Sequence, residues 1–289
     1  MAEAINQLTP PDGKTELAKR LGVSRSSLYY APRLPAKDLR LKAAIEKVMS
    51  IHRAYGQRRI AIELKVNKKR IKRVMKLFGL KVKRKRKIPK KPNDLGRTPM
   101  AIPNLVLGLI IGAPQQVWVS DFTYLPHFDR FVYLATVEDV FTRVVVGWAV
   151  STRHNTNLVA LALLDAIMSH PAPDIIHSDQ GSEYRNGDYL NLLRSLGIKP
   201  SMSAKASPWQ NGYQESFYSG FKLELGHPEC YPTLGELVEA IAQQIYYYNH
   251  CRIHTALKCP PAVFAARYQS LKQQNNLTIS QEITVRQSV

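Results

Sequence analysis

From residue 117 onward the chain passes from a strand-like to a helix-like hydrophobic rhythm. VWVSDFTYL (117–125), RFVYLATVEDV (130–140) and TRVVVGWAV (142–150) are rich in valine, threonine and aromatic residues, with turn-length gaps between them, and predict three consecutive antiparallel strands. NLVALALLDAIMSH (157–170) then predicts a buried helix, DIIHSD (174–179) a short strand, DYLNLLRSLG (188–197) an amphipathic helix and 199–204 a further strand. SPWQNGYQESFYSGFKLEL starts one more helix, on which Tyr213, Phe217 and Phe221 form an apolar stripe at i, i+4 and i+8. Glu215, Ser219 and Lys222 fall on a different face of it. Three strands followed by alternating helices and strands predict an α/β layer with a mixed sheet.

Upstream the rhythm is helical throughout. Between Thr15 and Tyr30, Leu17, Ala18 and Leu21 share one side of a short helix, Gly22 permits a tight turn, and Ser24 can cap a second helix that buries Leu28. This is a helix-turn-helix pattern whose second helix would offer Arg25, Ser26 and Ser27 to phosphates or base edges; two helices of a structural bundle read the same way. Further on, Asn67 is suited to cap a helix in which Ile71, Val74, Met75 and Phe78 recur at helical spacing and Gly79 suits the end. Lys69, Lys72, Arg73 and Lys76 occupy its other faces, as a DNA-docking helix requires and as a solvated charged face also allows. The run KVKRKRKIPKKP (81–92), with Lys83, Arg84, Lys85 and Arg86, is too charged and proline-punctuated to pack, and reads as a linker able to lie along DNA or as a solvated tether.

Charge sharpens this division. The chain carries a net +19, and residues 1–100 hold 28 Lys/Arg against 7 Asp/Glu, so the whole excess belongs to the N-terminal third. A local positive field of that size attracts a polyanion, and nucleic acid is favoured over an anionic membrane because the basic third has no tryptophan anchor. The start MAEAINQLTPPDG lacks the pattern of a signal peptide, and the most apolar stretch, LVLGLII (105–111), is too short to span a bilayer. Cys230, Cys251 and Cys259 are odd in number and lack CxxC spacing, which argues against a disulfide framework and a zinc site and for a reducing cytoplasm, with nucleoid association.

Three carboxylates stand in unusual settings. Asp121 lies inside the first strand and, at a period of two, shares a face with Val117, Val119 and Thr123, where a carboxylate must be protonated, paired or metal-bound. Asp179 closes DIIHSD and is followed by Gln180 and Gly181, a turn that places it at a strand end, where α/β sheets tend to bind ligands. Glu215 sits early in its helix with no other acid nearby, a position that a solvent-exposed side chain could equally hold. His177, Ser178 and Asp179 are adjacent and so cannot divide the roles of a hydrolytic triad. His250, Cys251 and His254 sit at helical spacing without a credible set of further zinc ligands, and packing or DNA contact is the better reading.

With VWVSDFTYL, HSDQGSEY and SPWQNGYQES around these acids, and 35 residues between Asp179 and Glu215, the chain resembles the DDE integrase-core transposases of bacterial insertion sequences. The match is to the second-reading-frame product of two-frame elements, a relative of retroviral integrases. LGVSRSSLYY, YGQRRI, APQQVWVSDFTYL, VEDVFTRVVVGWAV and YYNHCRIHTALKCPPAVF extend it over almost the whole chain. The resemblance implies an RNase H-like fold in which Asp121, Asp179 and Glu215 bind two Mg²⁺ or Mn²⁺ ions. It also implies 3′-end cleavage and strand transfer of insertion-sequence DNA, first with water and then with the freed 3′ hydroxyl as nucleophile. Lys222 matches a basic residue that contacts terminal DNA in such enzymes.

The implied organisation is a helix-turn-helix (1–33), a second helical DNA-binding module (34–80), a basic linker and arm (81–113), the catalytic core (114–227) and a helical C-terminal tail (228–289). Double-stranded DNA, both element ends and target, further copies of the chain on that DNA, and an upstream reading-frame product are the expected partners; no membrane is. A non-catalytic DNA-binding accessory and a stand-alone nuclease are the competing functions. Ala206 stands where the family often has glycine, Trp209 to Asn211 differ from the usual segment, and LVLGLIIGAP is more apolar than the family norm. No sustained heptad seam is present, so the upstream helix-turn-helix and coiled coil of a fused product are expected to be missing.

Overall fold

The computed structural model describes residues 13–20, 22–28, 34–82, 102–203 and 212–287, with the side chains of some helical positions, Glu215 among them, outside that description. The N-terminal helices are α1 (Gly13–Arg20), α2 (Arg25–Leu28), α3 (Leu34–Ile51), α4 (Gln57–Glu63) and α5 (Lys68–Leu77). Gly22 takes the positive φ of +63° that the turn between α1 and α2 needs, and Ser24 Oγ accepts the Ser27 N–H at 3.3 Å. The expected second helix is a single turn here, with Leu28 half-buried rather than buried; residues 29–33, where the pattern ends, lie outside the described residues.

The helices α3, α4 and α5 pack around Ile45, Tyr55, Ile60, Ile71 and Val74, a cluster that Ile253 from the C-terminal part joins, its N–H donating to the Tyr55 hydroxyl at 2.7 Å. Asn67 caps α5 as expected, its Oδ1 accepting the Lys69 N–H at 2.8 Å. Lys69, Lys72 and Lys76 face solvent. Arg73 does not behave like these lysines: its guanidinium grips the buried carboxylate of Asp38 on α3 with two hydrogen bonds, one of 2.7 Å, and so ties α5 to α3. Lys83, Arg84, Lys85 and Arg86 lie outside the described residues.

The sheet holds five strands in the order β3-β2-β1-β4-β5: β1 (Val117–His127), β2 (Arg130–Asp139), β3 (Val145–Ser151), β4 (Ile175–Ser178) and β5 (Lys199–Met202). The first three are antiparallel neighbours, and β4 and β5 run parallel to β1, as an RNase H-like α/β sheet requires. The third strand starts later than its valine-rich sequence predicts. Asp139 Oδ1 accepts both the N–H (2.7 Å) and the hydroxyl (2.9 Å) of Thr142, and this turn withholds residues 140–144 from the ladder.

Helices cover both faces. On one, α6 (Thr156–Ser169), α7 (Ser182–Arg185) and α8 (Gly187–Ser195) pack through Leu158, Ala162, Leu163, Tyr184 and Leu193 onto Trp118, Ala135 and Val137. On the other, α9 (Gly212–Leu225) and α10 (Leu234–His250) bring Phe217, Tyr218, Phe221, Leu237, Ile241 and Tyr248 onto Leu125, Val132, Leu134 and Val145. Each fully buried aliphatic or aromatic side chain here contributes about 1.5–3 kcal/mol. A last helix, α11 (Pro261–Gln287), follows.

The structure accounts for part of the apolar arm. Met202 donates its N–H to Pro103 O (3.2 Å), Leu105 donates its N–H to Ser201 Oγ (2.8 Å), and Val106 and Ile111 pack against Val117, Val119 and Val140. The arm therefore runs along the β5 edge and closes the sheet end under β1. Only Val106 and Ile111 line it, however, and Leu105, Leu107, Leu109 and Ile110 are exposed.

Candidate active site

The parallel pairing of β1 with β4 runs through Val117–Ile175, Trp118–Ile176 and Val119–His177. At that point β4 ends and β1 continues. Asp121 stands two residues beyond the last pair on β1, still paired with Thr136 of β2, and Asp179 stands two residues beyond it on the other chain segment, so the two acids lie at the fork where the segments part. The short β4 sets the gap: Asp179 follows its final residue, Ser178, directly.

Both carboxylates are oriented by their own backbone. Asp121, half-buried, accepts the Phe122 N–H on Oδ1 at 2.8 Å, and Asp179, exposed, accepts the Gly181 N–H on Oδ1 at 2.9 Å. Gly181 has a steric reason for being glycine. A Cβ there would come within 2.7 Å of Glu183 Oε2 and 3.0 Å of Asp179 Oδ1. The carboxylates of Asp179 and Glu183 thus converge on one side of the turn.

Glu183 is the residue that sequence reasoning missed. It is buried, and its other oxygen meets His154 Nε2 at 2.6 Å; His154 in turn lies against the rings of Phe122 (4.7 Å between centroids) and Tyr133 (5.4 Å). An acid four residues after Asp179 was visible in HSDQGSEY, but its partner, 29 positions upstream in an unpatterned turn, gave no signal. Beside it Tyr184 anchors α7 in the core, its hydroxyl 3.1 Å from Ser120 Oγ.

The third acid, Glu215, occupies the first turns of α9, and its side chain lies outside the described residues. The neighbours that hold this stretch of helix are clear. Gln214 Nε2 donates to Val119 O at 3.0 Å and Tyr218 donates its hydroxyl to Asp121 O at 2.7 Å, so residue 215 rides on a helical segment bolted on both sides to the strand of Asp121. Thr136 completes the network, 2.8 Å from the Tyr218 hydroxyl. Burial first, then the charge of Asp121, pushes the Tyr218 phenol well above its ordinary range, which keeps it a neutral donor.

Tyr213, expected on the apolar stripe of α9, has its side chain outside the described residues; Phe217 and Phe221 are buried as expected, and Tyr218 and Gln214 widen the buried face. Lys222, two turns beyond Glu215, donates to Tyr124 O at 2.9 Å on the stretch of β1 that extends past β4. Arg25, Ser26 and Ser27 are exposed on α2.

Other candidates resolve into packing. His177 is buried with Nδ1 2.9 Å from Ser201 Oγ, and burial pushes its pKa down to about 4. His250 is exposed and stacks on Tyr246 at 4.4 Å, whereas burial and neighbouring arginines push His254 down to about 4. Among the described residues no three His, Cys, Asp or Glu side chains gather to hold a metal. The side chains at the fork, Asp121 and Asp179, carry carboxylate oxygens, a donor type that suits hard divalent ions such as Mg²⁺ and Mn²⁺ rather than zinc.

The chain is also similar to known proteins. The family described as Integrase core domain matches residues 112–208 and again 196–261. The chain is 37% identical over 227 residues to the transposase for insertion sequence element IS904 of Lactococcus lactis, covering 75% of this chain and 89% of the relative. It is 32% identical over 265 residues to the putative transposase InsK for insertion sequence element IS150 of Escherichia coli, covering 88% and 92%. Among solved structures, the HTLV-2 integrase catalytic core domain in complex with magnesium matches with a TM-score of 0.45 and 18% identity, over 53% of this chain and 97% of that one.

Proposed function

Since this chain belongs to the integrase-core transposases of insertion sequences, we propose that Asp121, Asp179 and Glu215 together hold two divalent cations, Mg²⁺ or Mn²⁺, and make it a DDE polynucleotidyl transferase. The observation that carries the proposal is the register at the fork between β1 and β4, which puts Asp121 and Asp179 each two residues past the last pair, with the helix of Glu215 tied to the same strand by Gln214 and Tyr218. Ions bound there would lower the pKa of an attacking water and stabilise the leaving oxygen of an in-line displacement.

The chain's own groups do the remaining work. The Phe122 and Gly181 N–H groups fix one oxygen of each aspartate, Gln214 and Tyr218 fix the spacing between α9 and β1, and Lys222 supplies a cation for a DNA phosphate. In the first reaction an oxygen of water bonds to phosphorus and the bond to the 3′ oxygen breaks, leaving a 3′ hydroxyl. In the second that hydroxyl bonds to the phosphorus of another strand and displaces its 3′ oxygen. Each exchanges one P–O bond for another, so positioning and charge neutralisation suffice. Double-stranded element ends and target DNA are the substrates, met by further copies of the chain, and the basic third supplies salt-sensitive affinity.

The test is incubation with Mg²⁺ or Mn²⁺ and DNA carrying both flanks of the gene, scored for 3′ nicks and joined ends. Joining that vanishes with a chelator, with Asp179→Asn and with Glu215→Gln supports the assignment. Binding without any cleavage by the unaltered chain overturns it.

A further inference from the structure

β4 pairs with β1 only as far as Val119, and β1 runs on to His127 with β2 beside it. This projecting hairpin presents two large rings to water: Tyr124 is 58% exposed and Phe131 is 51% exposed. They meet edge-on, with centroids 5.4 Å apart and planes at 82°. Neither belongs to a core cluster. Lys222 reaches the pair from α9. Its ammonium bonds to Tyr124 O at 2.9 Å and stands 4.8 Å from the centre of the Tyr124 ring.

A cation and exposed aromatic rings interleaved along one edge are what proteins use to hold unpaired nucleotides, because every base has a π-face and every nucleotide a phosphate. We propose that Tyr124, edged by Phe131, is a stacking platform for an unpaired DNA nucleotide whose adjoining phosphate is taken by Lys222. The inference rests on the polynucleotidyl-transferase reading above and adds to it a ligand subsite. Location supports it: Tyr124 is three residues from Asp121 along the same strand, roughly 10 Å at ordinary strand rise. Although that odd spacing turns its side chain to the other face, β4 does not pair with this stretch of β1 and Lys222 of α9 reaches the ring. The chemistry supports it too. The Tyr124 carbonyl and ring face are among the contacts of the ammonium, and a phosphate is a stronger partner than either. When Lys222 turns to the phosphate, the ring face it covered becomes available to the base.

The experiment uses the full chain, a chelator to prevent cleavage, and two duplexes with one flank sequence, one fully paired and one ending in an unpaired 2-aminopurine nucleotide. The unaltered chain should quench the unpaired 2-aminopurine. Tyr124→Ala should abolish the quench and weaken binding of the unpaired end about tenfold, while leaving the fully paired duplex unaffected. Tyr124→Phe should keep both, and Phe131→Ala should show a smaller loss than Tyr124→Ala. An unchanged thermal melting profile for Tyr124→Ala shows that its fold is intact. Equal quenching and equal affinity in Tyr124→Ala overturn the proposal, as does a defect confined to self-association, which would assign the rings to a second copy of the chain. Failure here with metal-dependent joining intact removes only the subsite; failure of the unaltered chain to cleave or join removes the reading beneath it.

Discussion

His154 and Glu183 are held 2.6 Å apart, joining the turn before α6 to α7, the short helix that follows Asp179. Because Glu183 is buried and its second oxygen shares the space beside Gly181 with Asp179, this pair fixes how the Asp179 carboxylate is presented. His154→Ala would leave a buried carboxylate short of a charge-assisted partner, a loss of about 1–3 kcal/mol. Urea denaturation should show that loss, and isothermal titration with Mn²⁺ should show weaker binding. His154→Gln, which can still donate, should recover part of both. Unchanged Mn²⁺ binding in His154→Ala would confine the pair to a structural role.

Two glycines should separate stability from activity. A Cβ on Gly147 would strike the backbone of α6 at Ala162 O and Ala166 N, atoms that cannot yield without moving the helix. Gly147→Ala should therefore destabilise the fold by about 1–3 kcal/mol, as overpacking does. A Cβ on Gly181 meets side-chain ends, Glu183 and Asp179, which can part at small cost to the fold but only by disturbing the site. Strand joining should fall at least tenfold in Gly181→Ala while its denaturation midpoint stays near that of the unaltered chain.

These two positions also show what the sequence could and could not reveal. Period-two and helical spacing gave the strands and helices of the sheet layer to within a few residues, because burial on one face leaves a mark at every second, third or fourth position. The late start of β3 left no such mark, since it follows from one side chain, Asp139, bonding to Thr142. Asp121 and Asp179 were legible as acids in or at the end of strands, and their shared place at the fork follows from the parallel pairing of β1 with β4, which no local pattern announced. Glu183 was invisible as a site residue because its meaning lies in contact with His154 across the fold. The bidentate hold of Arg73 on Asp38 was hidden for a similar reason: on a helix wheel a packing arginine and a DNA-facing one look alike.

Glu138 predicts a pH dependence. It is fully buried on β2, with Arg143 Nη1 at 3.9 Å, too distant to offset the loss of solvent, and burial pushes its carboxyl from 4.5 up to about 8. The folded chain thus keeps a proton that the unfolded chain releases. Between about pH 4.5 and 8 this group makes stability fall as pH rises, by up to about 1.4 kcal/mol per unit. Glu138→Gln, neutral at every pH, should remove that slope. Urea denaturation at pH 4.5, 6 and 8.5 should show the variant gaining on the unaltered chain progressively, most at the highest value.

On α5, neighbours of like charge should behave differently. Lys72 is exposed and contributes to the positive face, so Lys72→Ala should weaken DNA binding evenly across sequences and reduce the salt slope by about one, with stability unchanged. Arg73 is committed to Asp38, whose carboxyl it holds below the ordinary range, chiefly through their hydrogen bonds. A lowered acid lends stability that is complete above its unfolded pKa and is lost as pH falls through the folded one. The unaltered chain should therefore lose stability in the acid range below about pH 4 more steeply than Arg73→Ala, which has already lost the bond at neutral pH. Fluorescence anisotropy with a labelled duplex over a salt series, run beside acid denaturation, separates the roles. A full unit lost from the salt slope in Arg73→Ala, with its acid profile unchanged, would instead put Arg73 on DNA.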